Sequence, residues 1–131
     1  MGQSKPLRRN MALVVEDDEE QRFLSAALFE ESDFSVVECA SAEAAVAVIH
    51  EKHDEVGLIF ADVELPGTMD GVDLAKIARA ELPDVPIIVT SGAGGRRVAE
   101  LPAGTEFVPK PWRALDLLIR AEKARKASTR E

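Results

Sequence analysis

Three acidic residues in two places carry the chemistry of this chain. Asp62 closes the apolar run Val56-Gly57-Leu58-Ile59-Phe60-Ala61 and opens a Pro-Gly loop that runs to Gly71. Glu16 and Asp17 directly follow a second apolar run, Met11–Val15. Both runs read as fully buried strands. A carboxylate at the C-terminal tip of such a strand stands where open α/β sheets bind ligands. Three carboxylates at one sheet end repel each other and need a cation among them, and hard oxygen ligands point to Mg²⁺. The competing reading is a charged helix start, where acids favour the dipole. It suits Glu19 and Glu20, whereas Glu16 and Asp17 follow the strand directly and leave Asp18 to cap the helix.

Two more strand tips complete the set. One carries Thr90-Ser91-Gly92, the other Phe107-Val108-Pro109-Lys110-Pro111-Trp112. One rim thus holds an acid cluster, a nucleophile candidate in Asp62, a hydroxyl and a lysine. Phosphoryl transfer to a carboxylate needs these parts: a metal to neutralise oxygens, a carboxylate to attack in line and a fixed cation to hold a further oxygen. The plainer alternatives are a surface lysine lying over the core for Lys110 and a cap on the glycine loop for Ser91.

The elements that must place these residues alternate. Strands are expected at Met11–Val15, Ser35–Cys39, Gly57–Ala61, Ile87–Ser91 and Thr105–Val108. Helices are expected between them. Asp18–Glu31 has Phe23, Leu24, Ala27 and Leu28 on one face; Ser41 caps the next, which turns Ala45, Val48 and Ile49 inward. Val72–Leu82 buries Leu74, Ile77 and Ala78 and stops at Pro83. A short helical candidate spans Arg96–Leu101, and the last helix runs from Trp112 to about Ala127 with Leu115, Leu118 and Ile119 inward. The pattern predicts an α/β fold, a doubly wound five-stranded parallel sheet with helices on both faces.

The 131 residues suffice for one domain, with 46% hydrophobic and 31% charged side chains. Residues 10–127 are expected to form it, with a loose basic arm at 1–9 and a tail at 128–131. No apolar stretch is long enough to cross a bilayer and the start lacks a signal-peptide core, so no membrane association and a cytoplasmic location are expected. The single Cys39 excludes an internal disulfide and reads as a buried apolar side chain. A net charge of −8 argues against direct nucleic-acid binding. The acidic body suits a divalent cation; the basic last helix reads as a solvated face. His50 and His53 read as solvent-facing rather than as a second metal site. Gly92-Ala93-Gly94-Gly95-Arg96-Arg97 lacks the Gly-Lys-Ser/Thr ending of a nucleotide-binding loop.

The chain resembles the receiver domains of two-component response regulators from about Met11 to Ala127. The resemblance rests on Val-Val-Glu-Asp-Asp at 14–18, Asp-Val-Glu-Leu-Pro-Gly at 62–67 with Met-Asp-Gly at 69–71, Pro-Ile-Ile-Val-Thr-Ser-Gly at 86–92 and Phe-Val-Pro-Lys-Pro-Trp at 107–112. It implies strand order 2-1-3-4-5 and Asp62 as phosphoacceptor. Asp17 and, through water, Glu16 would bind Mg²⁺ with Asp62 and the backbone carbonyl of Glu64. Ser91, five residues past Pro86, matches the switch hydroxyl, with Thr90 facing away. Lys110 matches the phosphate-binding lysine, with a cis bond to Pro111, and Phe107 the switch aromatic. Two departures stand out. Thr68 is one residue more than usual in the loop after Asp62, and the interval from Ser91 to Lys110 is short, at the expense of the fourth helix. Glu64 and Ala93 flank the phosphoryl position and are expected to set its lifetime.

The resemblance implies a phosphorylation-activated switch, fed by a histidine kinase or phosphotransfer protein and read by a downstream protein, as a monomer or weak dimer. It would not be an enzyme beyond its own phosphorylation and dephosphorylation. No attached output domain is expected, and the basic start at Met1 favours a free-standing protein over a piece of a hybrid kinase. The alternatives are an interaction module that works without phosphorylation and a Mg²⁺-dependent phosphohydrolase with Glu64 as its acid.

Overall fold

The computed structural model describes residues 9–92, 95 and 97–128. Ten elements follow one another: β1 (Met11–Val15), α1 (Glu19–Glu31), β2 (Ser35–Cys39), α2 (Ala42–Glu51), β3 (Val56–Asp62), α3 (Gly71–Glu81), β4 (Ile87–Ser91), a 3-10 turn (Val98–Glu100), β5 (Glu106–Pro109) and α4 (Ala114–Ser128). The five strands form one parallel sheet in the order β2-β1-β3-β4-β5. The apolar runs of β1 and β3 are buried along their whole length because helices cover both faces. The edge strands β2 and β5 are mixed in burial.

Side-chain alternation splits the core in two. Leu13, Val15, Ile59, Ala61, Ile87 and Val89 face α2 and α3, where Ala45, Ile49, Leu74 and Ala78 meet them. Ala12, Val14, Leu58, Phe60, Ile88 and Val108 face α1 and α4, against Ala26, Phe29, Leu117 and Ala121. Phe60 sits between Phe29 and Trp112, with ring centroids 5.5 and 6.1 Å away.

Two helices present a different face from the expected one. In α1 the buried side chains are Ser25, Ala26 and Phe29, while Phe23 and Leu24 are 65% and 54% exposed. In α4 Leu117, Ala121 and Ala124 face the sheet, while Leu115 and Ile119 are exposed. Each helix carries two apolar stripes, and the one with small residues lies against the sheet, where it allows close approach. Ser25 is tolerated there because its hydroxyl donates to the Gln21 carbonyl at 2.8 Å. Arg9, expected in the loose arm, is anchored: its guanidinium donates to the carbonyls of His53 and Val56.

The expected fourth helix, Arg96–Leu101, reduces, among the described residues between β4 and β5, to the three-residue turn Val98–Glu100. Arg97 precedes it in the left-handed region at φ 59°. Its guanidinium ties that turn to the start of α3, reaching Asp70 at 2.8 Å, Asp73 at 3.2 Å and Glu100 at 3.0 Å. Asp70 caps α3 by accepting from the amides of Val72 and Asp73, while Asp73 accepts from the Asp70 amide.

Gly71 starts α3 directly beneath the end of β3. A Cβ there would lie 2.2 Å from the Asp62 carbonyl oxygen and 2.8 Å from Val63 Cα, both backbone atoms. Gly71→Ala is therefore expected to push α3 off the tip of β3 and to destabilise the fold by about 1–3 kcal/mol. Urea denaturation of the variant beside the parent chain measures this.

Candidate functional site

The parallel register brings the ends of β1, β3, β4 and β5 to one rim. Asp62 lies opposite Thr90, and Ser91 opposite Pro109. Asp62 and Glu16 are 3% and 5% exposed, so two carboxylates are buried side by side. Between them lies the ammonium of Lys110, whose Nζ donates to Asp62 Oδ2 at 2.5 Å and to Glu16 Oε1 at 3.5 Å. The Lys110–Pro111 peptide is cis, and the Lys110 amide donates to the Ser91 carbonyl at 2.9 Å. These bonds turn the lysine inward over the strand ends.

The charges explain the protonation behaviour of the cluster. Burial pushes the Glu16 carboxyl up to about 7; the Asp18 amide pulls it down, and the nearby Asp62 pushes it up further. For Lys110, burial alone lowers the pKa, but the bond to Asp62 and the charges of Asp62 and Glu16 outweigh it and leave the ammonium above its ordinary value. Both shifts keep protons on the cluster, so its excess of negative charge appears only as Glu16 ionises, above about pH 7.

Asp17 is exposed on the rim, and Asp18 caps α1 by accepting from the Gln21 amide. With Glu64, Pro66, Asp70 and Arg97, Asp17 lines an open cavity of about 420 Å³ beside Asp62. Among the described residues no three His, Cys, Asp or Glu side chains are gathered so that they could hold a metal ion by themselves. Mg²⁺ rarely asks for such a set: it keeps several waters and binds through one or two carboxylates plus phosphate oxygens. Two buried carboxylates, Glu16 and Asp62, are the donor chemistry that such an ion takes.

Ser91 is fully buried, and its hydroxyl donates to Glu64 Oε2 at 2.7 Å. Glu64 is exposed, and its amide donates to Asp62 Oδ1 at 3.0 Å. Thr90 is fully buried too, and its Oγ1 has no hydrogen-bond partner among the described residues. Phe107 is half-buried and packs against the α2–α3 side of the core. Ala93 lies outside the described residues.

Three contacts at the site had no counterpart in the sequence reading. Glu43 of α2 accepts from the Thr68 amide and hydroxyl, both at 3.0 Å, and so pins the β3–α3 loop at Thr68. The others are the Arg97 network and the side chain of Glu64. Apart from Arg97 with Glu100, they join residues 24 or more positions apart, where no periodicity marks them.

A sequence profile of the response regulator receiver domain matches residues 12–122. The chain belongs to that family. It is 33% identical over 116 residues to the nitrogen assimilation regulatory protein NtrX of Azorhizobium caulinodans, across 86% of this chain and 25% of that protein. It is 33% identical over 103 residues to the sensor kinase CckA of Brucella abortus, across 76% of this chain and 11% of the kinase. The chain thus spans a quarter or less of the length of these two relatives. The crystal structure of the receiver domain of NtrX from Brucella abortus superposes with a TM-score of 0.77 at 29% identity, covering 89% of this chain and 99% of that one. The receiver domain of the hybrid histidine kinase CckA gives 0.74 at 30%, covering 88% and 98%.

Removal of Lys110 leaves two buried acids without their counter-ion. Lys110→Ala is expected to cost on the order of 2 kcal/mol at pH 8. The cost shrinks at pH 5.5, because a carboxyl raised to about 7 then carries a proton and needs no partner. Thermal denaturation of both proteins at the two pH values measures the difference.

Proposed function

We propose that this chain is a phosphorylation-activated signalling switch whose acceptor is Asp62. The observation that carries this reading is the Asp62 carboxylate, buried at the tip of the central strand and held by the Lys110 ammonium. A histidine kinase or a phosphotransfer protein presents a phosphohistidine. An Asp62 oxygen attacks the phosphorus, the P–N bond breaks, and the imidazole leaves and takes up a proton. Mg²⁺, when bound, neutralises the transferring phosphoryl oxygens. Glu16, Asp17, Asp62 and the backbone carbonyl of Glu64 would hold it.

The chain's own residues do the rest. Lys110 turns from the bare carboxylate to a phosphoryl oxygen, and the Ser91 hydroxyl donates to another. A new dianion on a buried strand tip thereby biases the nearby backbone of β4 and β5. Phe107, half-buried on β5, is the side chain whose packing follows. A groove of about 600 Å³ lined by Gln21, Leu24, Lys110 and Trp112 gives the donor protein an apolar approach to Asp62. In this reading the chain turns over no external substrate, works in the cytoplasm and passes its state to a downstream protein.

Acetyl phosphate with Mg²⁺ is expected to add one phosphoryl group, seen by intact mass, and Asp62→Asn to abolish it. An adduct that survives in Asp62→Asn moves the acceptor elsewhere, and no adduct on the parent chain favours the phosphorylation-independent module. Mg²⁺ alone is expected to raise the melting temperature more at pH 8 than at pH 6, because the Glu16 carboxyl must lose its proton to face the ion. Differential scanning fluorimetry reads this.

A further inference from the structure

The fully buried Ser91 hydroxyl is already committed, and its partner is not the reacting carboxylate. Ser91 Oγ donates to Glu64 Oε2 at 2.7 Å. Glu64 is fixed at its other end by its amide, which donates to Asp62 Oδ1 at 3.0 Å. The Ser91 backbone is fixed as well, since its carbonyl accepts from the Lys110 amide. Rotation of the hydroxyl is therefore the freedom left to the end of β4.

A serine hydroxyl has one proton and serves one acceptor at a time. A carboxylate is a stronger acceptor than a neutral oxygen. We infer that Glu64 is a positioning residue of the switch: its carboxylate competes with a phosphoryl group on Asp62 for the Ser91 proton and thereby holds the chain in its resting state. This rests on Asp62 as the phosphoacceptor. Loss of the competitor favours the phosphorylated arrangement. A rival account has the Glu64 charge repel the phosphoryl dianion directly, and that account makes no use of Ser91.

Four variants separate the two. Glu64→Gln keeps the length and loses the charge, whereas Glu64→Asp keeps the charge and falls short of the hydroxyl. The probe is beryllium trifluoride with Mg²⁺, a stable mimic of a phosphoryl group on a carboxylate, titrated calorimetrically. Competition predicts that both changes tighten binding by roughly fivefold, the worth of one hydrogen bond. It predicts no further gain from Glu64→Gln in a Ser91→Ala background and a restored gain in Ser91→Thr, which keeps the hydroxyl. Tightening by Glu64→Gln but not Glu64→Asp, or tightening that persists in Ser91→Ala, overturns the inference in favour of repulsion. Unchanged affinity in both single variants overturns it as well, with the acceptor reading intact. Failure of every variant and of the parent chain to bind the probe sinks the acceptor reading and this inference together.

Discussion

One ammonium group, held between two buried carboxylates, governs the upper end of this molecule. Lys110 comes from the end of β5, Asp62 from the end of β3 and Glu16 from just past β1, so the ion triad spans β4 and binds three strand ends into one rim. Taking such charges out of water costs more than hydrophobic packing would, and replacement by apolar side chains is often stabilising. In the proposed switch the triad has a use that apolar packing could not serve, because it holds the acceptor carboxylate. The rest of the fold supplies the rigidity: a fully buried β3 flanked on both sides, and a glycine-started helix packed on the Asp62 carbonyl.

The strands were legible because buried parallel strands write themselves as short apolar runs bounded by turn residues; their order came from the resemblance to receiver domains. Met11–Val15, Ser35–Cys39 and Ile87–Ser91 appear in the structure at their expected bounds. The Asp18 and Ser41 caps were legible for a local reason: each side chain accepts from an amide three residues on. The inner faces of α1 and α4 were not. Phe23, Leu24, Leu115 and Ile119 form the more apolar stripes, and periodicity alone favours them. The choice falls instead to Ala26, Phe29, Leu117 and Ala121, decided by how closely two helices can approach the sheet around Phe60.

The site divides the same way. Glu16, Asp62, Ser91 and Lys110 announce themselves by standing at strand ends, and the register brings those ends together. The partners that tune them do not. Glu64 was read for its backbone carbonyl, for its place beside the phosphoryl position and, in one alternative, as an acid, but nothing in Asp62-Val63-Glu64 says that its side chain meets Ser91. Glu43 was an unremarked acid in a helix, yet it secures Thr68 in the β3–α3 loop. These contacts cross from one loop to another and exist only once the sheet has formed.

Where a longer helix would bury an apolar stripe after β4, this chain substitutes a guanidinium clasped by three acids. Ion pairs at such half-exposed positions weaken as dissolved ions gather, with a screening distance of about 8 Å at physiological ionic strength. Apolar packing does not fade in that way. The segment from Arg97 to Glu100 is thus fastened by a force that the surrounding electrolyte adjusts, so the firmness of that surface varies with salt while the sheet beneath it does not.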